Sequence, residues 1–412
     1  MRATWCPTVA LLACLAPALS LAGESIEPPL APDAALLARI EALPDNTWLK
    51  LPPVRIAGDL GWLRDPDKRK FGPRCRDYSN WMAWVPERKR ALYCGGGHNI
   101  DPMNDVWEYD LAANTWACLL PPDSIVPRKP REQSLAEFVK ANATFKDGVV
   151  TTPSGAPLRP AHTWCGLCYD PERRRMLFLE PHQGLLFTDK AELARGFGLT
   201  PEEFASQRKP GSYIWPFDPV ARRWDDVQTG VAGGEGAIML YVEHLKALWV
   251  KSARGPTALY DREKQAWRPL AKCPVGYGAV GAYDTDTRTV VVINASRNEK
   301  TPETTYQTYS YGFDADEWKT VQEKAPAGGR DASCHFHYDT AARRFVLITN
   351  AAEPRLWLYD AARNEWSDPN PKGDIPPKGR LAGYYDPERN VTVNYDGKEV
   401  WVYRCKKQVG QP

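Results

Sequence analysis

Tyr109-Asp110-Leu111-Ala112-Ala113-Asn114-Thr115-Trp116 sets an aromatic residue before an Asp, and a Trp seven positions after the aromatic. The phrase returns as Phe217-Asp218…Trp224, Tyr260-Asp261…Trp267 and Tyr359-Asp360…Trp366. A fifth copy, Tyr311…Trp318, keeps the spacing and moves the acid to Asp314. The flanks alternate β-branched and aromatic residues, as in Val106-Trp107-Glu108-Tyr109 and Leu356-Trp357-Leu358-Tyr359. This pattern predicts a hairpin: a strand ending on an aromatic, a polar turn, and a Trp opening the next strand.

A second phrase precedes each of these hairpins. An aromatic, often followed by Asp-Pro or Asp-Thr, leads through a charged turn into a β run; its copies begin at Trp84, Tyr169, Tyr241, Tyr283, Tyr338 and Tyr385. Each unit then holds two hairpins, strands a and b around this phrase and c and d around the first. Four-stranded antiparallel units recurring every roughly 40–50 residues predict an all-β propeller. The sixth unit reaches Val400-Trp401-Val402-Tyr403 and has no later Trp, whereas Asn46-Thr47-Trp48-Leu49-Lys50-Leu51 is a second half without a first. Pairing them closes a six-bladed ring with an N-terminal strand and removes an exposed edge. Arg64-Asp65-Pro66 to Phe71 resembles another ab turn, but too few residues flank it for a blade, so it is assigned to a loop.

At Cys94-Gly95-Gly96-Gly97-His98, Asn104-Asp105-Val106-Trp107-Glu108-Tyr109-Asp110 and Asn114-Thr115-Trp116 the chain resembles a Kelch repeat. The resemblance, to the propeller of the galactose oxidase central domain among others, covers most of the chain. The full di-glycine mark stands in blade 1 alone; elsewhere the position reads Glu180-Pro181, Lys251-Ser252, Asn294-Ala295, Asn350-Ala351 and Asp396-Gly397. The repeating aromatics are expected to fill the wedges between blades, and the Asp to satisfy backbone groups in its turn.

Residues 1–22 read as a secretory signal: Arg2, an apolar run from Val9 to Leu21, and small residues before Gly23. Leu11-Leu12-Ala13-Cys14 loosely resembles a lipoprotein box and ranks second, and the run falls short of a membrane span of roughly 20 residues. Residues 23–45 form a lead with a helix over Ala34–Leu43 capped by Asp33; 46–405 form the propeller and 406–412 a tail. Insertions at 123–160 and 187–212 carry a helix over Leu135–Ala141 behind Ser134 and a second start at Thr200-Pro201. A formal net charge of +2 gives no global field toward nucleic acid. Cleavage of the leader leaves Cys75, Cys94, Cys118, Cys165, Cys168, Cys273, Cys334 and Cys405, whose spacing dictates no pairing. The protein is expected to be a secreted or periplasmic monomer without a cofactor.

Aligned on the ab aromatic, one mouth of the channel collects the starts of strands a and the ends of strands b. It receives Arg76, Asp77 and His98 from blade 1, His162 and His182 from blade 2, Lys251 and Arg254 from blade 3, and Asn294 and Arg297 from blade 4. Blade 5 adds Arg330, Asp331 and Asn350, and blade 6 Lys378, Arg380 and Asp396. Arg76, His98, His162, His182, Arg254, Arg297, Arg330 and Arg380 are candidate ligand-binding residues for a small anionic or sugar-like molecule, or a protein partner. Arginine grips carboxylate or phosphate bidentately. Asp77, Asp331 and His162 are the candidates for proton transfer if the chain is an enzyme.

No metal is expected. His162-x2-Cys165-x2-Cys168 has zinc-like spacing, but residues three apart on a strand face opposite ways. His335 and His337 do share a face. Galactose oxidase uses copper and a thioether-linked Tyr, positions that do not map here. The enzyme alternative is a propeller similar to the periplasmic sialic-acid epimerases, in which a carboxylated sugar would suit the arginines.

Overall fold

In the computed structural model, six aromatic…Trp pairs join the outer strands of six blades, five of them across hairpins. Tyr109 faces Trp116 across its strand pair, Phe217 faces Trp224, Tyr260 faces Trp267, Tyr311 faces Trp318, and Tyr359 faces Trp366. The sixth pair is Tyr403 with Trp48, contributed by opposite ends of the chain. Ring centroids in all six pairs lie 4.9–5.2 Å apart. The structure describes residues 30–58, 60–61, 73, 79–96, 104–122, 134–158, 164–180, 190–231, 233–234, 236–297, 304–325, 334–349, 355–379 and 381–406.

The turns explain why the phrase needs its polar residues. Asp110, Asp170, Asp218, Asp284, Asp360 and Asp386 each accept the backbone N–H groups two and three residues on. An Asp side chain thus makes hydrogen bonds that the tight backbone cannot make for itself. The residue before each returning strand is left-handed in all eleven hairpin turns, as is Asn46 before the N-terminal strand, with φ between +46° and +58°. In four blades it also ties down its neighbours: Asn114, Asp316, Asn364 and Asn46 accept from the hydroxyls of Tyr109, Tyr311, Tyr359 and Tyr403. The same four side chains bond the preceding blade at Pro52 O, Ala271 N, Val321 O and Pro369 O. Blades 2 and 3 carry Arg222 and Gln265 there.

Named from the channel outward, strands a to d of blade 1 are Ala83–Val85, Arg90–Tyr93, Val106–Asp110 and Thr115–Leu120. Blade 2 is Leu167–Asp170, Arg175–Glu180, Ser212–Asp218 and Arg223–Trp224, with Gln228–Val231 continuing its outer edge. Blade 3 is Ile238–Val242, Ala247–Lys251, Thr257–Asp261 and Ala266–Leu270. Blade 4 is Val280–Asp284, Thr289–Arg297, Thr304–Gly312 and Glu317–Ala325; blade 5 is His335–Asp339, Arg344–Ile348, Leu356–Asp360 and Glu365–Ser367. Blade 6 is Ala382–Asp386, Val391–Tyr395, Val400–Arg404 and the N-terminal Thr47–Lys50. The ring closure expected from the orphan Trp48 is therefore the observed one.

Two short strands had no signature in the phrase. Arg55–Ile56 and Lys372–Gly373 run parallel to the outer strands of blades 1 and 6 and cover those edges. Around the channel, inner strands of adjacent blades bridge directly: Trp81 to Gly383, Ser79 to Trp164, and Cys165 to Ile238.

Helix α1 spans Ala34–Glu41, two residues shorter than expected, with Asp33 capping Leu36 N–H and Leu36 and Ile40 buried. In the insertions, α2 (Leu135–Asn142) and α4 (Pro201–Gln207) begin with the capping boxes at Ser134 and Thr200, and α3 is Lys190–Gly196. Phe138, Val139, Leu193 and Phe204 pack the two insertions against each other. They form one appendage with its own small core, so α2 and α3 bury apolar faces that the blades do not cover. Residues 1–29, Arg64 to Phe71 and the tail from 407 lie outside the described residues. No helix among the described residues is long and apolar enough to cross a membrane.

Candidate functional site

The six aromatics that begin the ab phrase end on one ring. Trp84, Tyr169, Tyr241, Tyr283, Tyr338 and Tyr385, one from each blade, all line a cavity of about 500 Å³ in the channel. The cavity opens between the ab turns, at the end opposite the starts of strands a. The repeat puts the rings there because each sits at the same place on its inner strand.

The rings also serve the wedge role expected of them. Several hydroxyls bond the ab turn of the preceding blade: Tyr169 donates to Glu87, Tyr338 to Asp286 at 2.7 Å, and Tyr283 pairs with His244 Nδ1 at 2.7 Å. Tyr385 reaches Asp339 Oδ1 at 3.2 Å. Tyr241 makes no such bond and lies under the Arg262 guanidinium, 5.9 Å from the ring centroid. Trp84 stacks on Tyr384 of blade 6 with centroids 5.6 Å apart. Among the described residues, the charged ones lining the cavity are Glu172, Glu243 and Lys246, all on the ab turns of blades 2 and 3. Lys246 lies 3.9 Å from Glu172. Burial raises the Glu243 carboxyl above the ordinary carboxylate range.

Deeper in, the wall changes character at the seam between blades 5 and 6. His335 and His337, two apart on one strand, project from the same face and stack with centroids 4.9 Å apart. Both are buried, at 1% and 6% exposure. His337 Nε2 is 2.9 Å from Thr392 Oγ1 of blade 6, and its ring stacks on Tyr385. His335 meets the Trp81 ring edge-on at 5.5 Å. Gly383 lets it in: a Cβ there would sit 2.7 Å from His335 Nδ1 and 3.0 Å from Asn394 Oδ1.

Burial lowers the His335 imidazole from 6.5 to about 3, and burial with His335 alongside holds His337 well below 6.5. Desolvation penalises the charged form, so both rings are neutral near pH 7. Among the described residues, neither nitrogen of His335 has a hydrogen-bond partner, nor does His337 Nδ1, Tyr384 OH, or either side-chain polar atom of Asn80 and Asn394.

Most residues expected at the opposite mouth, Arg76, Asp77, His98, His162, His182, Arg330, Asp331 and Arg380, lie outside the described residues. Arg254 is exposed in the bc turn of blade 3, and Arg297 ends strand b of blade 4, paired with Thr304. Lys251 is fully buried, donates to Gly276 O at 2.5 Å, and is lowered by desolvation to about 8. Glu180, at the matching strand end of blade 2, accepts from Trp215 Nε1 at 2.7 Å and is raised by burial to about 7. Cys165 and Cys168 face different clusters, as strand alternation requires, and burial pushes the Cys165 thiol to about 12. Among the described residues no group of three or more His, Cys, Asp or Glu is placed to hold a metal ion.

The sequence register puts His335 and His337 on one face without assigning them to a site, and it misses Tyr384, Gly383 and Asn394. Residues preceding the ab aromatic were the available signal: they read Ala83, Cys168, Leu240, Ala282, His337 and Tyr384 around the ring.

No protein family matches the chain, and no curated protein matches it. Among solved structures the chain is similar to an auxiliary nutrient binding protein from Bacteroides thetaiotaomicron VPI-5482. That likeness has 12% identity and a TM-score of 0.44, over 79% of this chain and 68% of that one. It is also similar to an oligogalacturonate lyase in complex with manganese, at 13% identity and a TM-score of 0.41, over 87% of this chain and 98% of that one. Likenesses this distant leave the function to be argued from the site.

Proposed function

We propose that this chain is an exported, Kelch-type propeller that binds a small molecule in its central channel, through the mouth ringed by aromatics. The observation that carries the reading is the ring itself: six aromatic side chains, one per blade, around a cavity of about 500 Å³. Small-molecule sites run to roughly 300–1,000 Å³ and are lined mainly by apolar and aromatic groups, with a few polar ones fixing orientation. Aromatic rings present large faces at low entropic cost, having only two side-chain torsions each. Export rests on the apolar leader from Val9 to Leu21. The expected arginine-bearing mouth is the competing entrance, suited to an anionic ligand.

A thermal-shift screen with methyl α-D-glucopyranoside, D-glucuronate and tetramethylammonium tests the reading. At a hundred times its dissociation constant a ligand stabilises by about 2.7 kcal/mol, easily read as a rise in Tm. The expected result is a shift that Tyr241→Ala and Trp84→Ala abolish. A shift that both variants leave intact, but that Arg76→Ala and Arg330→Ala remove, would move the ligand to the other mouth. Absence of any shift across such a screen would sink the binding reading.

A further inference from the structure

Resting on the channel reading above, we infer that the seam between blades 5 and 6 is a subsite for the uncharged, hydroxyl-bearing end of the channel ligand. The cavity's described charged residues stand at its rim, on the ab turns of blades 2 and 3. At this seam the floor holds His335, His337 and Trp81, none of them charged near neutral pH, with Asn394 behind the wall, beside His335 over Gly383. Among the described residues, the polar atoms without a partner there include both nitrogens of His335, His337 Nδ1 and both atoms of the Asn394 carboxamide.

Buried polar groups are ordinarily paired, and a concentration of unpaired ones on a cavity wall calls for something to bond them. The set mixes donors and acceptors. A neutral imidazole offers one of each, and a carboxamide offers both. A hydroxyl, which donates and accepts at once, satisfies such a set. Among the described residues of the floor, a carboxylate, which only accepts, would find no cation to offset its desolvation, and an ammonium would find no anion. The ligand end that enters is therefore a neutral polyol or glycoside, with its flat face left for the aromatic ring above.

Calorimetric titration of the full chain with methyl α-D-glucopyranoside and with D-glucuronate, in the wild type, His335→Phe and Asn394→Leu, tests this. Both substitutions keep approximate shape while removing polar atoms. Exchanging an unpaired buried polar group for an apolar one of its shape is neutral or stabilising. The expected outcome is a Tm that holds or rises, with affinity for the glycoside falling at least about tenfold, the equivalent of about 1.4 kcal/mol. The wild type should prefer the glycoside to glucuronate by a similar factor.

A lower Tm in both variants would assign these residues to structure and overturn the inference. Unchanged glycoside affinity in stable variants would mean that water alone satisfies the floor, and would overturn it equally. Equal affinity for glucuronate would overturn the uncharged ligand while leaving the channel reading in place. If neither sugar binds but tetramethylammonium does, and Trp84→Ala removes it, the channel reading stands and this subsite falls. If none of the three binds, both fall.

Discussion

Blades 4 and 5 are neighbours with matching inner strands and different contents. Each strand a pairs with its strand b over five positions, and each ends in Tyr-Asp, Tyr283-Asp284 and Tyr338-Asp339. Both tyrosine hydroxyls bond the preceding blade. Three and one positions before the tyrosine, however, blade 4 has Val280 and Ala282 where blade 5 has His335 and His337. The repeated residues build the seam and the wall. The residues that break the repeat give one seam a polar floor and leave the other apolar, so the chemistry lies in the departures from the period.

The largest expected consequence of that difference is acid sensitivity localised to blade 5. The His335 pKa falls from 6.5 to about 3 on folding. The folded state therefore binds fewer protons than the unfolded chain between those values. Stability is complete above pH 6.5 and is lost progressively as pH falls toward 3. Taken alone, the change is worth on the order of 5 kcal/mol. Urea unfolding at a series of pH values should show this slope in the wild type and a shallower one in His335→Phe. Identical slopes would mean that the two seams respond alike to acid, and the comparison would lose its electrostatic half.

The contrast also explains what is legible in the sequence. The six blades, the closure by Trp48 and the Asp turns can be read there because each is a local rule repeated: the same aromatic, the same acid, the same spacing. The cavity cannot, because its floor depends on which face of each inner strand meets which neighbour. Gly383 illustrates the difficulty. In sequence it is one glycine before Tyr384-Tyr385, and only its neighbours show that it makes room for His335. The ab aromatics read as wedges between blades, and they are; their second role, as a ring around a cavity, emerges only when six turns gather at one end.

Two glycines at the same register offer a sharper and smaller test. Gly281 in blade 4 and Gly383 in blade 6 both lie two positions before the ab aromatic. A Cβ at Gly281 would come 3.2 Å from the tips of Ile238 and Val292, side chains that can yield. At Gly383 it would come 2.7 Å from both His335 Nδ1 and the Val393 carbonyl, which is backbone. Overpacking that cannot relax costs typically about 1–3 kcal/mol. Gly383→Ala is therefore expected to lose about 2 kcal/mol and Gly281→Ala less than about 1 kcal/mol. Equal losses would show that the histidine seam is no more tightly fitted than the apolar one. In the double variant with His335→Ala, part of the Gly383→Ala cost should return, because one of the two clashing atoms is gone.

The smallest effect belongs to what the blades share. Removing a hydroxyl that bonds the neighbouring blade costs about 1 kcal/mol, so Tyr283→Phe and Tyr338→Phe should each lower the urea midpoint by that equivalent. The slope of the unfolding free energy against urea should not change, since it follows the surface exposed rather than the bonds lost. Tyr241→Phe should do nothing measurable, because the Tyr241 hydroxyl holds no partner among the described residues and its ring keeps its place under Arg262. If Tyr241→Phe proved as costly as the other two, the hydroxyls would not be what joins the seams. The ring would then owe its position to packing alone, and the distinction between shared wall and particular floor would rest entirely on the histidines.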